Sequence, residues 1–251
     1  MQHVFETMGT VVSLRFDEGS VARSILDDVE HVFRTADTTF SLYNPASELS
    51  RIARGELTLT HSSEAVRDAY ERAVHWRNAT GGAFTAHRPD GVIDLSGIVK
   101  ALAIEAAGEI LDAAGSAGWL LNAGGDVLAR VGDTESGKNA WRVGIVDPLD
   151  RTVLLCSFEL DETRAALATS GTAERGEHVW RTDARQSFSQ VSVLAPDIVT
   201  ADVLATAILS GGQQTSDLAT EQFGVEVLTV DANGELLITP WLRNAVSTEP
   251  H

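Results

Sequence analysis

Asp202 and Thr206 carry oxygen atoms that could ligate a metal ion, and they stand four residues apart in an apolar segment. The pattern of that segment predicts a helix, on which both side chains would lie on one face. A carboxylate and a hydroxyl are hard oxygen donors that suit Mg²⁺, and a half-hydrated Mg²⁺ could also bind substrate phosphates. The competing interpretation is structural: Asp202 caps the helix and Thr206 bonds to its own helix backbone.

The segment 94–100, with the sequence DLSGIVK, opens another predicted helix. Free backbone N–H groups and the helix dipole favour an anion at such a start, and Lys100 stands one turn further in, where it could reach a phosphate. Of the 19 Lys and Arg residues, only Lys100 and Lys138 are Lys. A Lys ammonium group is a compact charge, whereas an Arg guanidinium group is planar and forked, so a Lys in this Arg-rich chain is consistent with a need for a point charge. The alternative is that Asp94 or Ser96 caps the helix while Lys100 is a solvated residue.

Two further segments place small or polar residues after predicted strands. Residues 122–126 read NAGGD. Paired glycines let a ligand approach the backbone closely, but a tight turn explains them equally well.

Residues 168–171 read ATSG and are followed by His178, which invites a hydrolase interpretation. That interpretation is poor, because the Gly-x-Ser-x-Gly motif is missing and no Asp with an orienting role can be named.

Helices and strands must position these segments, and they mix without a regular strand–helix–strand repeat. This order favours an α+β fold with mixed or antiparallel sheets and packed helices over a doubly wound sheet. The periodicity predicts a loop over residues 40–51 and helices over 20–36, 62–80, 97–114, 201–210 and about 215–222, with Gly211 and Gly212 between the last two. It predicts strands over residues 4–16 (interrupted at Gly9), 119–121, 127–131, 141–146, 153–159, 165–169, 190–195 and 225–230. We expect one compact domain over residues 1–244 and a frayed tail over 245–251.

Composition restricts the partners. A formal net charge of −17 argues against nucleic acid and anionic membranes, since both attract clustered cations. Every apolar run is far shorter than the roughly 20 residues of a membrane span. The first residues lack the basic region followed by an apolar region that is typical of a signal peptide, so we expect a cytoplasmic protein. A single cysteine, Cys156, excludes an internal disulfide and a multi-cysteine metal site.

In order and spacing, these segments resemble the FAD:protein FMN transferases, the ApbE family. The resemblance runs from residue 8 to about residue 212 and rests on eight ordered matches. These are MGT at 8–10, SLY at 41–43 with SELSR at 47–51, GAF at 82–84, DLSGIVK at 94–100, NAGGD at 122–126, WRVGIVDP at 141–148, TSG at 169–171 with His178, and DVLAT at 202–206.

The resemblance implies an ApbE-like, T-fold-like α+β domain that binds FAD and Mg²⁺. The residues that it implies for the FAD site are Met8, Tyr43, Ala83, Phe84, Thr85, Asp94, Lys100 and Trp180. It implies that Asp202 and Thr206 hold Mg²⁺, with backbone carbonyls near Gly97 and Ala205 completing the shell. His178 takes the position of the family's transfer-associated histidine, where it would deprotonate a Thr or Ser hydroxyl of an acceptor protein.

The implied activity is Mg²⁺-dependent transfer of FMN from FAD to that hydroxyl, with release of AMP. Two alternatives stay open: hydrolysis of FAD to FMN and AMP at the same site, or a flavin-binding scaffold that has lost the chemistry. Two departures favour the scaffold, since only nine residues, 85–93, separate GAF from DLSGIVK, and no Asp-Pro turn follows His178. The retention of Asp202, Thr206, Lys100 and His178 favours the two enzymatic interpretations. The sequence leaves the acceptor protein and the oligomeric state open.

Overall fold

The structure is a computed structural model that describes residues 1–17, 21–134, 137–171 and 188–245. Over these residues the chain forms a short 3₁₀ helix (Leu59–His61) and the α-helices α1 (Arg23–Phe40), α2 (Glu48–Ala53), α3 (Glu64–Ala79), α4 (Ser96–Ala113), α5 (Ile198–Phe223) and α6 (Pro240–Ala245). The chain after Ala245, where we expect a frayed tail, lies outside the described residues.

Eight strands build one antiparallel sheet in the order β1-β2-β3-β4-β9-β10-β11-β12. These strands are β1 (Gln2–Thr7), β2 (Thr10–Phe16), β3 (Trp119–Ala123), β4 (Asp126–Arg130), β9 (Ala166–Gly171), β10 (Phe188–Ala195), β11 (Glu226–Asp231) and β12 (Leu236–Ile238). Two separate antiparallel pairs join β5 (Gly132–Thr134) to β6 (Gly137–Asn139) and β7 (Trp141–Val146) to β8 (Leu154–Leu160). The predicted α+β class with antiparallel sheets in one compact unit is confirmed.

Side chains alternate between the two faces of the main sheet, so each strand contributes to two layers. In β10, Val191 and Val193 face the helical layer of α1, α4 and α5. Leu194 of the same strand faces the β7–β8 hairpin, where it joins Ile145 and Phe158 in a second, smaller core. The main sheet is therefore covered by helices on one face and by a β-hairpin on the other.

Helix α4 lies between α1, α5 and the main sheet. Ile98, Ile104 and Leu111 have no exposed surface, and burial of each side chain contributes about 1.5–3 kcal/mol. This burial holds the first turn of α4, with Gly97 and Lys100, in a set position relative to the sheet. No helix among the described residues is both long and apolar enough to cross a membrane.

One predicted element differs in the structure, and a predicted interruption of a helix is confirmed. The predicted loop over residues 40–51 contains the start of α2, because the Ser47 side chain accepts a hydrogen bond from the Ser50 backbone N–H at 3.0 Å and caps a helix. The helices predicted over residues 201–210 and 215–222 lie end to end within α5, and the predicted interruption between them is confirmed at Gly212. Only Gly212 leaves the helical conformation (φ 69°, ψ −155°), and glycine adopts that conformation without a steric penalty.

Candidate active site

The β1–β2 turn lies against the turn between β3 and β4. Met8 has a left-handed backbone (φ 50°) and forms the two-residue turn with Gly9. Thr10 then packs on Gly124, where an added Cβ would stand 2.5 Å from the Thr10 hydroxyl oxygen. The Gly124 N–H also donates to the Val11 carbonyl at 3.1 Å. Tertiary contact therefore brings the MGT and NAGGD segments together, and Gly124 is needed for that close approach.

Asp126, the last residue of NAGGD, is fully buried and forms an ion pair with Lys100. Its second carboxylate oxygen accepts a hydrogen bond from the Thr169 backbone N–H at 3.1 Å. Asp126 thus connects three of the segments that the sequence singled out. The solvated alternative for Lys100 is wrong, since the Lys100 side chain is only 17% exposed. Asp126 was not among the residues predicted for the site. Its position directly after Gly124 and Gly125 was the one signal in the sequence that could have identified it.

The residues before α4 pack on its first turn. An added Cβ at Gly97 would stand 3.1 Å from the ring of Phe84, which is buried and whose N–H donates to the Thr80 hydroxyl at 3.1 Å. Ala83 lies beside Gly211 of α5, where an added Cβ would approach the Ala83 side chain to 3.0 Å. The 83–84 backbone is therefore held between α4 and α5.

The segment between GAF and α4 forms a short hairpin. His87 pairs with Ile93, and the Asp94 N–H donates to the Ala86 carbonyl at 2.8 Å. The Thr85 hydroxyl accepts a hydrogen bond from the His87 N–H at 3.1 Å. This closed hairpin spans the nine residues of 85–93 and brings Asp94 to the start of α4.

The Asp94 side chain forms a hydrogen bond to the backbone at the start of α4. Its carboxylate accepts a hydrogen bond from the Ser96 N–H at 2.9 Å, whereas Leu95, the residue at the cap position, forms no side-chain cap. The capping alternative is therefore correct in part for Asp94, and Ser96 is the donor rather than the cap.

Asp202 and Thr206 lie on the face of α5 that packs on β9. Asp202 has no exposed surface, and the cap of α5 is Asp197, which accepts from the Thr200 N–H at 2.8 Å. The capping alternative for Asp202 is therefore wrong. The Thr206 hydroxyl lies 3.1 Å from the Ser170 hydroxyl of β9, so it reaches across to the sheet. Ala205, between them on α5, is also fully buried.

The donors near Asp202 fit Mg²⁺ by type. They comprise one carboxylate and the hydroxyls of Thr206 and Ser170, which are all hard oxygens. No group of three or more His, Cys, Asp or Glu side chains that could hold a metal occurs among the described residues. A Mg²⁺ ion here would therefore depend on backbone carbonyls, water and substrate phosphates for the rest of its shell, as is usual for this ion.

The structure does not gather every predicted site residue. Tyr43 is 85% exposed on the loop between α1 and α2, where its N–H donates to the Ser41 hydroxyl at 3.3 Å. His178 and Trp180 lie outside the described residues. The one cysteine is not a candidate nucleophile, because burial raises the pKa of Cys156 to about 11 and keeps the thiol protonated at neutral pH.

A cavity of about 560 Å³ lies on the other face of the main sheet, beneath the β7–β8 hairpin; we call it the hairpin cavity. Its walls include Asn122, Gly124 and Thr169 from the sheet and residues 142–148 from β7 and the loop after it. Gln190 of β10 donates from its side-chain amide to the Val146 carbonyl at 3.0 Å and so ties the sheet to the hairpin. The motifs in these walls were predicted from the sequence. The cavity was not, because it forms between elements that are distant in the chain.

Known proteins resemble this chain in sequence and in structure. The model of the ApbE family matches residues 8–88 and 85–229. A protein of Rhodobacter capsulatus named FAD:protein FMN transferase is 32% identical over 179 residues, which are 65% of this chain and 33% of that protein. The chain thus spans about a third of the length of this curated relative.

Solved structures share the fold, among them those of two ApbE proteins. The ApbE protein of Thermotoga maritima superposes with a TM-score of 0.82 at 19% identity, covering 98% of this chain and 99% of that one. The flavin transferase ApbE of Vibrio cholerae superposes with a TM-score of 0.75 at 18% identity, also covering 98% of this chain and 99% of that one. At these identities the superpositions establish the fold alone.

Proposed function

Because the chain belongs to the ApbE family, we propose that it transfers FMN from FAD to a Thr or Ser hydroxyl of an acceptor protein and releases AMP. The observation that carries the proposal is the convergence of three segments on Asp126: Lys100 by an ion pair, Thr169 by its N–H, and the β3–β4 turn by the chain itself. Asp202 and Thr206 lie next to this convergence, since Ser170 follows Thr169 and contacts Thr206.

The proposed reaction breaks the phosphoanhydride bond of FAD and forms a phosphoester bond to the acceptor. The acceptor hydroxyl oxygen bonds to the FMN phosphorus, the bond from that phosphorus to the bridging pyrophosphate oxygen breaks, and AMP leaves with that oxygen. The hydroxyl proton passes to a base, for which we propose His178 on the strength of its position after TSG. When bound, Mg²⁺ would neutralise the pyrophosphate and the charge that develops on AMP.

The chain's own residues have distinct proposed tasks. Lys100 would place a compact positive charge beside the nucleotide, and Asp126 would hold that ammonium group in place. Residues 83–85 and Asp94 would line the FAD site at the start of α4, with Met8 on the neighbouring turn and Tyr43 and Trp180 completing the flavin contacts. Asp202 and Thr206, with carbonyls near Gly97 and Ala205, would hold the metal. A net charge of −17 supports a protein rather than a nucleic acid as the partner.

The short 85–93 hairpin favours a second candidate, a flavin-binding scaffold without transfer chemistry, because it leaves less chain to enclose flavin or acceptor. One experiment separates the candidates. Purified protein is incubated with FAD and Mg²⁺, with and without candidate acceptor proteins, and AMP and protein-bound FMN are quantified. Transfer predicts AMP in equal amount to covalent FMN; hydrolysis predicts AMP and free FMN without acceptor; a scaffold predicts bound FAD and no AMP.

A further inference from the structure

The hairpin cavity is positively charged in a strongly acidic protein. Arg15, Arg142 and Arg151 line it, and Asp147 is the one acidic residue in its described walls. Glu159 lies outside these walls but pairs with Arg142, so the walls and this partner together carry a net charge of +1. The whole chain has a formal net charge of −17. Such a local reversal of charge attracts an anionic group, because the walls are partly apolar and exclude part of the screening water.

Arg142 can exchange its present partner for a ligand at small cost. Its guanidinium lies 3.7 Å from a Glu159 carboxylate oxygen, and the two side chains are 45% and 59% exposed. An exposed ion pair of this kind contributes little to stability. The Glu159 carboxylate is therefore a weak competitor for a carboxylate that enters the cavity.

The cavity meets the candidate active site at the β3–β4 turn. Gly124 and Gly125 line the cavity, and Asp126, the next residue, holds Lys100 on the other side of the sheet. Thr169 belongs to both sides, since it lines the cavity while its N–H donates to Asp126. A peptide lying in the cavity would therefore reach the end of the sheet where the nucleotide is proposed to bind.

Apolar side chains surround the outer end of the cavity. Leu149 is 81% exposed, and Val153 and Leu154 are about half-exposed, at the tip of the β7–β8 hairpin. Leu154 packs directly over Gly144, which lines the cavity. Clustered exposed apolar side chains mark contact surfaces for other proteins. The combination suits a peptide that carries carboxylates together with an apolar residue.

We infer that the hairpin cavity docks an acidic segment of the acceptor protein, with an apolar residue of that segment on the hairpin tip. The inference rests on the proposed function. The acceptor's Asp or Glu side chains lie against Arg15, Arg142 and Arg151, and the hydroxyl to be modified follows at the β3–β4 turn. The segment binds extended, because the cavity is a cleft between a sheet and a hairpin.

The test compares two dye-labelled synthetic peptides by fluorescence anisotropy. One peptide carries a Thr flanked by Asp and Leu, and the other has Lys in place of each Asp. Wild-type protein should bind the acidic peptide more tightly. The double variant Arg15→Glu/Arg142→Glu should weaken acidic-peptide binding about tenfold, since each reversal turns an attraction into a repulsion. The control double variant Arg77→Glu/Arg243→Glu makes the same change of net charge at exposed sites outside the cavity and should leave the dissociation constant within about twofold.

The dissociation constant for FAD is measured on the same proteins and should not differ between wild type and Arg15→Glu/Arg142→Glu. Equal binding of the two peptides, or equal losses in the two double variants, overturns the inference. A loss of FAD affinity that matches the loss of peptide affinity also overturns it and assigns the cavity to the nucleotide. If wild type releases no AMP while arginine-dependent peptide binding persists, the proposed function fails; the cavity then binds acidic peptides, and their assignment to an acceptor protein is overturned.

Discussion

Lys100 forms an ion pair with Asp126, a carboxylate without exposed surface that also accepts a hydrogen bond from the Thr169 backbone at 3.1 Å. The pair joins the first turns of α4 to the β3–β4 turn and, through Thr169, to β9. Loss of one partner of a buried ion pair leaves the other charge uncompensated. When both groups are fully buried, this lowers the free energy of unfolding by about 3–5 kcal/mol. Since Lys100 keeps some contact with water, we expect a smaller cost here.

The first prediction concerns this pair. Asp126→Asn and Lys100→Met should each lower the free energy of unfolding, by about 1–3 kcal/mol, and the double variant should lose less than the two losses added together. Urea unfolding measures all four proteins. The same cycle on the exposed pair Arg23 and Asp27 serves as control and should give a coupling of about 0.5 kcal/mol or less. Additive losses at Lys100 and Asp126 would contradict the buried-pair assignment.

The second prediction concerns nucleotide binding by Lys100. Lys100→Met should weaken FAD binding and flatten its dependence on salt, because one charge contact to a phosphate is lost. Calorimetric titrations at several ionic strengths measure both effects. Arg77→Met removes an exposed charge from α3 and should change neither. A dissociation constant that matches wild type at every ionic strength would remove Lys100 from the site.

The third prediction concerns the metal site. Asp202→Asn should abolish Mg²⁺-dependent FAD binding while the protein stays folded, because the amide keeps the shape of the side chain and loses the anionic oxygen. Asp217→Asn is the matched control, since Asp217 is an exposed residue of the same helix that accepts from Gln213. Calorimetry with and without Mg²⁺, together with circular dichroism, separates binding from folding. Unchanged Mg²⁺ and FAD affinities in Asp202→Asn would show that the metal assignment is wrong.

The fourth prediction concerns His178, whose role rests on its position in the sequence. His178→Ala should slow AMP release or FMN transfer about 100-fold or more, which is the low end of what a general base contributes. FAD binding should hardly change, since the Lys100 and metal-site contacts remain. His31→Ala, at an exposed position of α1, is the control and should retain full rate. A His178→Ala variant as fast as wild type would require another proton acceptor.

The fifth prediction tests the contact between the two turns. Gly124→Ala should lower the free energy of unfolding by about 1–3 kcal/mol, because a Cβ added to a left-handed residue (φ 63°) would also meet the Thr10 hydroxyl at 2.5 Å. Gly224→Ala is the control, because it introduces comparable backbone strain (φ 64°) with nothing within 4 Å of the added Cβ. The difference between the two variants in urea unfolding measures the steric contact. Equal losses would mean that Thr10 moves aside without cost.

Most of the local structure follows from the sequence, and so does the choice of the segments that meet around Asp126. Apolar residues at helical spacing predicted α1, α3 and α4. The paired glycines of NAGGD allowed a tight turn, and Gly124 and Gly125 form one between β3 and β4 with positive φ. The antiparallel α+β class also followed from the order of elements and from the family resemblance. These features depend on residues near each other in the chain, and their conformational preferences are visible in the amino-acid types.

The contacts between these segments depend on the tertiary structure. Asp202 is a buried residue within α5 rather than a cap, because the helix begins earlier, at Ile198, with Asp197 as its cap. Lys100 pairs with Asp126, 26 positions along the chain, and Ser170 meets Thr206 at a separation of 36 residues. The hairpin cavity likewise exists only once the sheet and the β7–β8 hairpin pack together. Contacts between distant residues depend on how whole layers pack, and local amino-acid preferences carry no record of that packing.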